Sequence, residues 1–160
     1  MRITSTQTFG LGFTMLISKT RKCYNPLMQT KTRIAGMIIK DGKLLMLIGK
    51  GYSELWTPGG RIEEGESDEE CLRRELLEEL GAELVESKFF KEYENVGFYH
   101  PEKKTIERVY VVKIKGEIKP DAEIEKIVWL TKEDFINKKF PMIPHTEQEL
   151  IPDLIKENVW

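Results

Sequence analysis

The segment Gly60–Ala82, GRIEEGESDEECLRRELLEELGA, constrains this chain more than any other stretch. It reads as a glycine turn feeding a capped helix with two distinct faces. Ser67 can serve as N-cap with Glu70 three residues on, Asp68 and Glu69 suit the positive end of the helix dipole, and Gly81 provides the stop. Leu72, Leu76 and Leu80 recur at every fourth position and predict a buried stripe, with Cys71 beside it as a small core residue. Glu75, Glu78 and Glu79 stand at i, i+3 and i+4, so they share a second face. Like charges at that spacing repel by roughly 0.2–0.5 kcal/mol per pair on an exposed helix. Arg74 can pair with Glu78 or with Glu70, but Ala82 and Glu83 occupy the positions downstream of Glu79. The helix itself offers Glu79 no cation, and a cationic partner from outside is the simplest explanation of the cluster.

The rest of the chain narrows what that partner serves. A length of 160 residues suits one domain with a real core, and 40% hydrophobic with 32% charged residues is a soluble, globular composition. A net charge of −2 gives no electrostatic reason to bind nucleic acid or an anionic membrane, so neither partner is expected. Cys23 and Cys71 make no disulfide framework and no zinc spacing, and a reducing, cytoplasmic compartment is the default. Residues 1–40 hold seven Lys or Arg and no acid before Asp41. The apolar stretch Phe9–Ile17 is far too short to span a bilayer. This basic leader, residues 1–29, is compatible with an organellar transit peptide, a tail, translated sequence upstream of Met28 or an extra edge strand.

The domain proper is expected over residues 30–160. Arg33–Ile39 and Lys43–Ile48 are β-prone runs joined by Asp41-Gly42, a strong hairpin signal. Glu54–Thr57 is a short strand candidate ending at Pro58-Gly59-Gly60, a sharp turn. Strands are expected at Glu86–Tyr93, Ile106–Lys115 and Glu125–Leu130, the first two separated by a polar loop holding Tyr99, His100 and Pro101. Thr131 opens a short helix through Lys138, and Glu147–Lys156 reads as a closing amphipathic helix. Interleaved strands and helices argue an α/β or α+β fold in one domain. Trp56 and Trp129 lie in strand-like runs and are expected in the core, and His145 beside Pro144 is expected to be structural or exposed.

Clustered carboxylates near glycine carbonyls favour a hard, oxygen-loving cation such as Mg²⁺ or Mn²⁺. A Pro58-Gly59-Gly60 turn lets backbone groups approach a metal or a phosphate without a Cβ in the way. That combination suits phosphoryl chemistry, and the chain carries neither a GxSxG elbow nor a P-loop lysine motif. Gly60, five residues, Glu66, seven residues, then Arg74-Glu75-Leu76-Leu77-Glu78-Glu79-Leu80-Gly81-Ala82 resembles the Nudix box, GX5EX7REUXEEXGU, with every fixed Gly, Glu and Arg in place. Ala82 is the one departure, standing where a larger aliphatic is usual. The chain is thus identified as MutT-like, and the resemblance implies an α/β/α sandwich around a mixed β-sheet.

The resemblance also implies that Glu75, Glu78 and Glu79 bind Mg²⁺, with Mn²⁺ as a substitute, helped by the Gly60 carbonyl. Arg74 would orient the glutamates, and Glu66 would support the loop–helix junction or hold a metal-bound water. The general base would be Glu75 or Glu123, which opens a pattern running to Trp129. The implied reaction is hydrolysis of a nucleoside diphosphate linked to another group. Lys50 and Arg61 flank the presumed site and are candidates to meet phosphates, as is Tyr99 to meet substrate. A nucleotide-sensing module without turnover is the alternative of a different class, and retention of all the box glutamates argues against it. An isopentenyl diphosphate isomerase relative is disfavoured by the lack of a second-domain cysteine. Among substrates, a (deoxy)nucleoside triphosphate of the house-cleaning type ranks first. A dinucleoside polyphosphate comes next, since Tyr99 lies 17 residues past Ala82, and ADP-ribose or a nucleotide sugar comes after it. A homodimer is compatible with the family.

Overall fold

Asp41 and Gly42 both take positive φ, 50° and 72°, and this left-handed pair turns the chain back on itself as the hairpin signal requires. The strands it joins are β1 (Thr30–Lys40) and β2 (Lys43–Gly49), antiparallel with Lys40 opposite Lys43. The structure is a computed structural model that describes residues 30–96 and 103–160. The leader 1–29 and Tyr99 lie outside the described residues. Four further strands complete the sheet: β3 (Gly59–Arg61), β4 (Glu83–Val96), β5 (Lys104–Lys115) and β6 (Ile124–Leu130). Their order in the sheet is β4-β5-β1-β2-β6, with β3 paired to β1. The β1–β5 pairing is parallel and the others are antiparallel, so the sheet is mixed.

Side-chain alternation along the strands divides the core into two layers. Ile34, Ile38, Leu45 and Leu47 pack on one face with Cys71, Leu72, Leu76 and Leu80 of helix α1 (Asp68–Leu80). Ala35, Met37, Leu44, Met46 and Val109 pack on the other face with Leu150, Ile151 and Leu154. Helices therefore cover both sides of the sheet, the α/β/α arrangement anticipated. The remaining helices are α2 (Lys132–Ile136) and α3 (Ile151–Lys156).

Three elements differ from their sequence reading. Glu54–Thr57 is no strand: Leu55 and Trp56 make only isolated bridges, to Met142 and Leu47. β3 was not expected from the sequence: its first two residues, Gly59 and Gly60, are those read as part of the Pro58-Gly59-Gly60 turn. The closing helix is broader-pitched at its start, with a π-helical turn at Thr146–Leu150 leading into α3. Helix α1 matches its sequence closely. Ser67 and Glu70 form the full capping box, and Gly81 stops the helix at φ 63°.

The pairings of β1 fix the place of the glycine turn. Along one edge β1 pairs continuously with β5 from Thr30 to Ile38. Along the other edge its first half pairs with β3, bringing Arg33 opposite Arg61, Ile34 opposite Gly60 and Ala35 opposite Gly59. Gly59 and Gly60 are thereby pinned beneath α1.

Candidate functional site

Gly60 sits directly against the helix. A Cβ there would lie 1.9 Å from Glu75 Oε1, so only glycine leaves room for the carboxylate. Gly59 is equally constrained: its φ is +120°, and a Cβ would fall 2.1 Å from the Ile34 carbonyl oxygen. The Gly59 N–H donates to Glu79 Oε2 at 2.8 Å, so the glycine turn clasps two of the three clustered glutamates. The Gly60 carbonyl lies 3.8 Å from the Cys71 thiol. Burial pushes that thiol up to about 12, which makes Cys71 an inert core residue rather than a nucleophile.

The three glutamates have different surroundings. Glu79 is only 4% exposed. Burial pushes its carboxyl up to about 7, against the Gly59 N–H and the charge of Arg33, with Glu75 and Glu123 reinforcing the rise. Glu75 Oε1 accepts from Arg74 Nη1 at 2.6 Å. Glu78 reaches toward solvent, 3.5 Å from Arg74. Arg74 also donates bidentately to Glu66, at 2.9 and 3.0 Å, and to the Arg61 carbonyl at 3.0 Å. Its hydrogen bonds hold Glu66 down at about 2. Glu66 in turn accepts from the Glu63 N–H at 2.9 Å, so this residue braces the loop before the helix. Arg74 thus grips Glu66 and Glu75 foremost, and Glu70, a partner considered from sequence, is turned to its Ser67 cap.

Glu123 arrives from the opposite direction, on the loop before β6. That loop is strapped to the end of α1 and to β2 by backbone hydrogen bonds. Asp121 N–H donates to the Glu79 carbonyl, Lys119 N–H to the Leu80 carbonyl and Lys50 N–H to the Glu123 carbonyl. Ala122 takes a left-handed φ of 50°, local strain that the straps sustain. The Glu123 side chain is exposed, and its carboxylate has no hydrogen-bond or ion-pair partner among the described residues.

Glu79 and Glu123 both line a cavity of about 610 Å³, within the range usual for small-molecule sites. Trp56 and Tyr52, stacked edge to face at 5.4 Å, form an aromatic part of its wall. Asn95 and Thr105, register partners on β4 and β5, add polar groups. Trp56 packs on the α1-side core and also faces the cavity, so it serves both layers.

The other flanking candidates are placed differently. The Lys50 ammonium donates to the Ala122 carbonyl at 2.7 Å, anchoring the Glu123 loop. Arg61 has an exposed side chain and contributes its carbonyl to Arg74. Neither side chain lines the cavity.

Three cavity-wall residues were absent from the sequence candidates. Arg33 Nη1 donates to Glu107 Oε1 at 2.6 Å, and Glu107 Oε2 lies 2.9 Å from His145 Nε2. Neither His145 ring nitrogen has a hydrogen-bond partner of good geometry among the described residues, and the contact is an ion pair when the imidazole is protonated. Burial opposes the Glu107 charge, yet His145 and Arg33 outweigh it and hold the carboxyl below its ordinary range. Burial likewise works against the imidazolium, and Glu107 reverses that to raise His145. The only sequence signals were an acid in the middle of a strand run, ERVYVV, and an arginine opening another, RIAGMII.

Comparisons with known proteins agree with this geometry. The family model described as NUDIX domain matches residues 30–154. The nucleoside triphosphatase NudI of Escherichia coli O139:H28 (strain E24377A / ETEC) is 29% identical over 124 residues, covering 69% of this chain and 88% of that protein. Among solved structures, the MutT protein from Methanosarcina mazei Go1 superposes with a TM-score of 0.69 at 19% identity, covering 84% of this chain and 99% of that one. The E. coli ORF135 protein gives a TM-score of 0.64 at 23% identity, covering 78% of this chain and 88% of that one. At such identities the two structures speak to the fold.

Proposed function

Since the chain belongs to the NUDIX domain family and is a Nudix hydrolase, we propose that it hydrolyses a phosphoanhydride bond of a nucleoside triphosphate with the help of Mg²⁺. The observation that carries this reading is the buried Glu79 carboxylate, clasped by Gly59 and opening onto the same cavity as Glu123 and the aromatic pair. The similarity to a nucleoside triphosphatase favours that substrate over dinucleoside polyphosphates, ADP-ribose and nucleotide sugars.

The residues fit a divalent cation. The donor set is all oxygen, Gly60 leaves a cradle that any Cβ would fill, and Glu79 is a carboxylate whose ionisation burial resists. Glu75, Glu78, Glu79 and the Gly60 carbonyl would hold the ion. Among the described residues no three such side chains are already drawn into one cage, because Arg74 holds Glu75 and Glu78 faces solvent. The bound ion would offset phosphate charge and polarise phosphorus.

The chain's own residues do the rest. Glu123, exposed to the cavity and without a partner among the described residues, is the better-placed base, since Glu75 is engaged by Arg74 at 2.6 Å. In the proposed step a water oxygen forms a bond to phosphorus, the phosphoanhydride P–O bond breaks, and the water proton passes to the Glu123 carboxylate. Arg74 keeps Glu75 and Glu66 in place. Trp56 and Tyr52 offer flat apolar surface to a base, and Asn95 and Thr105 offer hydrogen-bonding groups to its edge.

A turnover screen tests the reading directly. Nucleoside triphosphates, dinucleoside polyphosphates, ADP-ribose and nucleotide sugars are each offered with Mg²⁺ or Mn²⁺, beside Glu79→Gln. Triphosphate turnover that vanishes in Glu79→Gln is the expected result. Preference for another substrate class removes the triphosphate assignment, and near-normal turnover by Glu79→Gln removes the assignment of the glutamate face.

A further inference from the structure

The carbonyls of residues 57, 58 and 59 are all held from below. Arg33 Nη2 donates to the Thr57 carbonyl at 2.5 Å and to the Gly59 carbonyl at 2.9 Å. The Gly36 N–H donates to the Pro58 carbonyl between them at 2.9 Å. Arg33 Nη1 adds the Thr57 hydroxyl at 3.0 Å. With three successive carbonyls fixed, the peptide planes between them have no freedom to turn. The Gly59 N–H must then point where it does, at Glu79.

The guanidinium is itself fixed. Glu107 accepts from its Nη1 at 2.6 Å, and His145 stands against the other Glu107 oxygen at 2.9 Å. Glu107 is only 6% exposed. A buried ion pair is a poor source of stability, because desolvation cancels most of the attraction and an apolar replacement often does as well. What it does supply is a unique orientation, since a guanidinium fork satisfies four acceptors in only one pose. Arg33 shares a strand face with Ala35 and Met37, on the side of the sheet opposite α1. Beyond the charge it places near Glu79, its hydrogen bonds reach that carboxylate only through the backbone of the turn.

We infer that Arg33, pinned by Glu107, is a positioning residue for Glu79 and the Gly60 carbonyl, acting through the Thr57–Gly60 turn. The inference rests on the reading of the glutamate face as the metal and catalytic site. It adds a second brace, on the far side of the sheet, to the one Arg74 forms on the helix. Outer-shell partners of this kind alter metal affinity or activity by about 10- to 100-fold when removed.

Two mild variants test it. R33K keeps the charge but loses the fork, and E107Q keeps the shape but loses the charge that pins Arg33. Mn²⁺ affinity is read by electron paramagnetic resonance without substrate, kcat and KM by nucleoside triphosphate hydrolysis, and folding by urea unfolding. Both variants are expected to fold, to bind Mn²⁺ about 10- to 100-fold more weakly and to lose kcat on the same scale, with KM within about threefold. Mn²⁺ affinity and kcat within about twofold of the native protein in either folded variant overturn the inference. A rise in KM alone also overturns it, because Arg33 would then be a substrate contact. Loss of folding in both variants overturns it too, as the network would be a stability element. E79Q, run in parallel, separates the two ideas: activity lost in E79Q but kept in R33K and E107Q leaves the catalytic face standing and removes only the brace.

Discussion

Gly60→Ala isolates the geometry of the site from the stability of the fold. Gly60 has no positive φ, so alanine suits its backbone and the effect is steric alone. The added methyl would sit 1.9 Å from Glu75 Oε1, 2.2 Å from its carboxyl carbon and 2.6 Å from Oε2. Real Cβ contacts essentially never fall below 3.0 Å, so the carboxylate has to retreat by about 1.1 Å. The retreating group is the end of a flexible side chain, and its Arg74 ion pair is partly solvated, which limits the stability cost to about 1 kcal/mol. A 1 Å misplacement in a catalytic constellation costs about 100-fold in rate, or about 2.7 kcal/mol of barrier. Steady-state hydrolysis of a nucleoside triphosphate in Mg²⁺ and urea unfolding measure the two quantities. Gly65→Ala is the matched control: nothing lies within 4 Å of its added Cβ, but its φ of +82° strains alanine. That variant is expected to lose about 1–2 kcal/mol of stability and keep its rate. A Gly60→Ala rate within about threefold of native refutes the cradle argument.

Replacing Glu123 with Gln is expected to lower kcat by about 10²–10⁴-fold with Mn²⁺ binding intact, and an unchanged rate would move the base role to Glu75. In metal-free protein, Glu79 keeps its proton up to about 7 when folded but loses it near 4.5 when unfolded. The native state then binds more protons across that window, so stability falls as pH rises through it, by about 1.4 kcal/mol for each pH step of one between the two values. Urea midpoints from pH 4.5 to 7.5 should show this slope in the native protein and not in Glu79→Gln, and parallel curves would refute it. A chain starting at Met28 is expected to fold and to retain full turnover, because every residue of the site comes after it; loss of activity in that folded truncation would give the leader a role in the site.

Whether a feature was legible in the sequence depended on whether its role is local. The Asp41-Gly42 turn, the Ser67/Glu70 capping box, the leucine stripe and the Gly81 stop are all specified within a few residues, and each appears where its pattern indicates. The Glu54–Thr57 link failed as a strand because its pairing depends on where β2 and the Met142 segment lie, which no short window contains. Glu147–Lys156 has the right period for a helix, but periodicity does not distinguish a π-helical first turn. In the site, the family resemblance points to Arg74 as the residue that would orient the glutamates. Its main partner, Glu66, sits eight residues away across a loop, beyond the i+4 rule that pointed to Glu78 and Glu70.

Arg33, Glu107 and His145 are hidden from sequence patterns for the same reason in stronger form. Their separations of 74 residues for Arg33–Glu107 and 24 for Arg33–Thr57 are bridged by the parallel β1–β5 pairing and the β3 return. That network also bears on what neutralises Glu79. The helix carries no cation for it, and the fold does bring one, Arg33, along with the Gly59 N–H. Neither is enough: with both present, burial still leaves the carboxyl at about 7 rather than in the ordinary carboxylate range. Arg33 cannot come closer, because its fork is already committed to Thr57, Gly59 and Glu107. A buried carboxylate left in that state is stable in charged form only if a further cation arrives from the cavity side. The carboxylates of Glu75 and Glu123 only deepen that need, and the hard divalent ion proposed to accompany a polyphosphate would meet it.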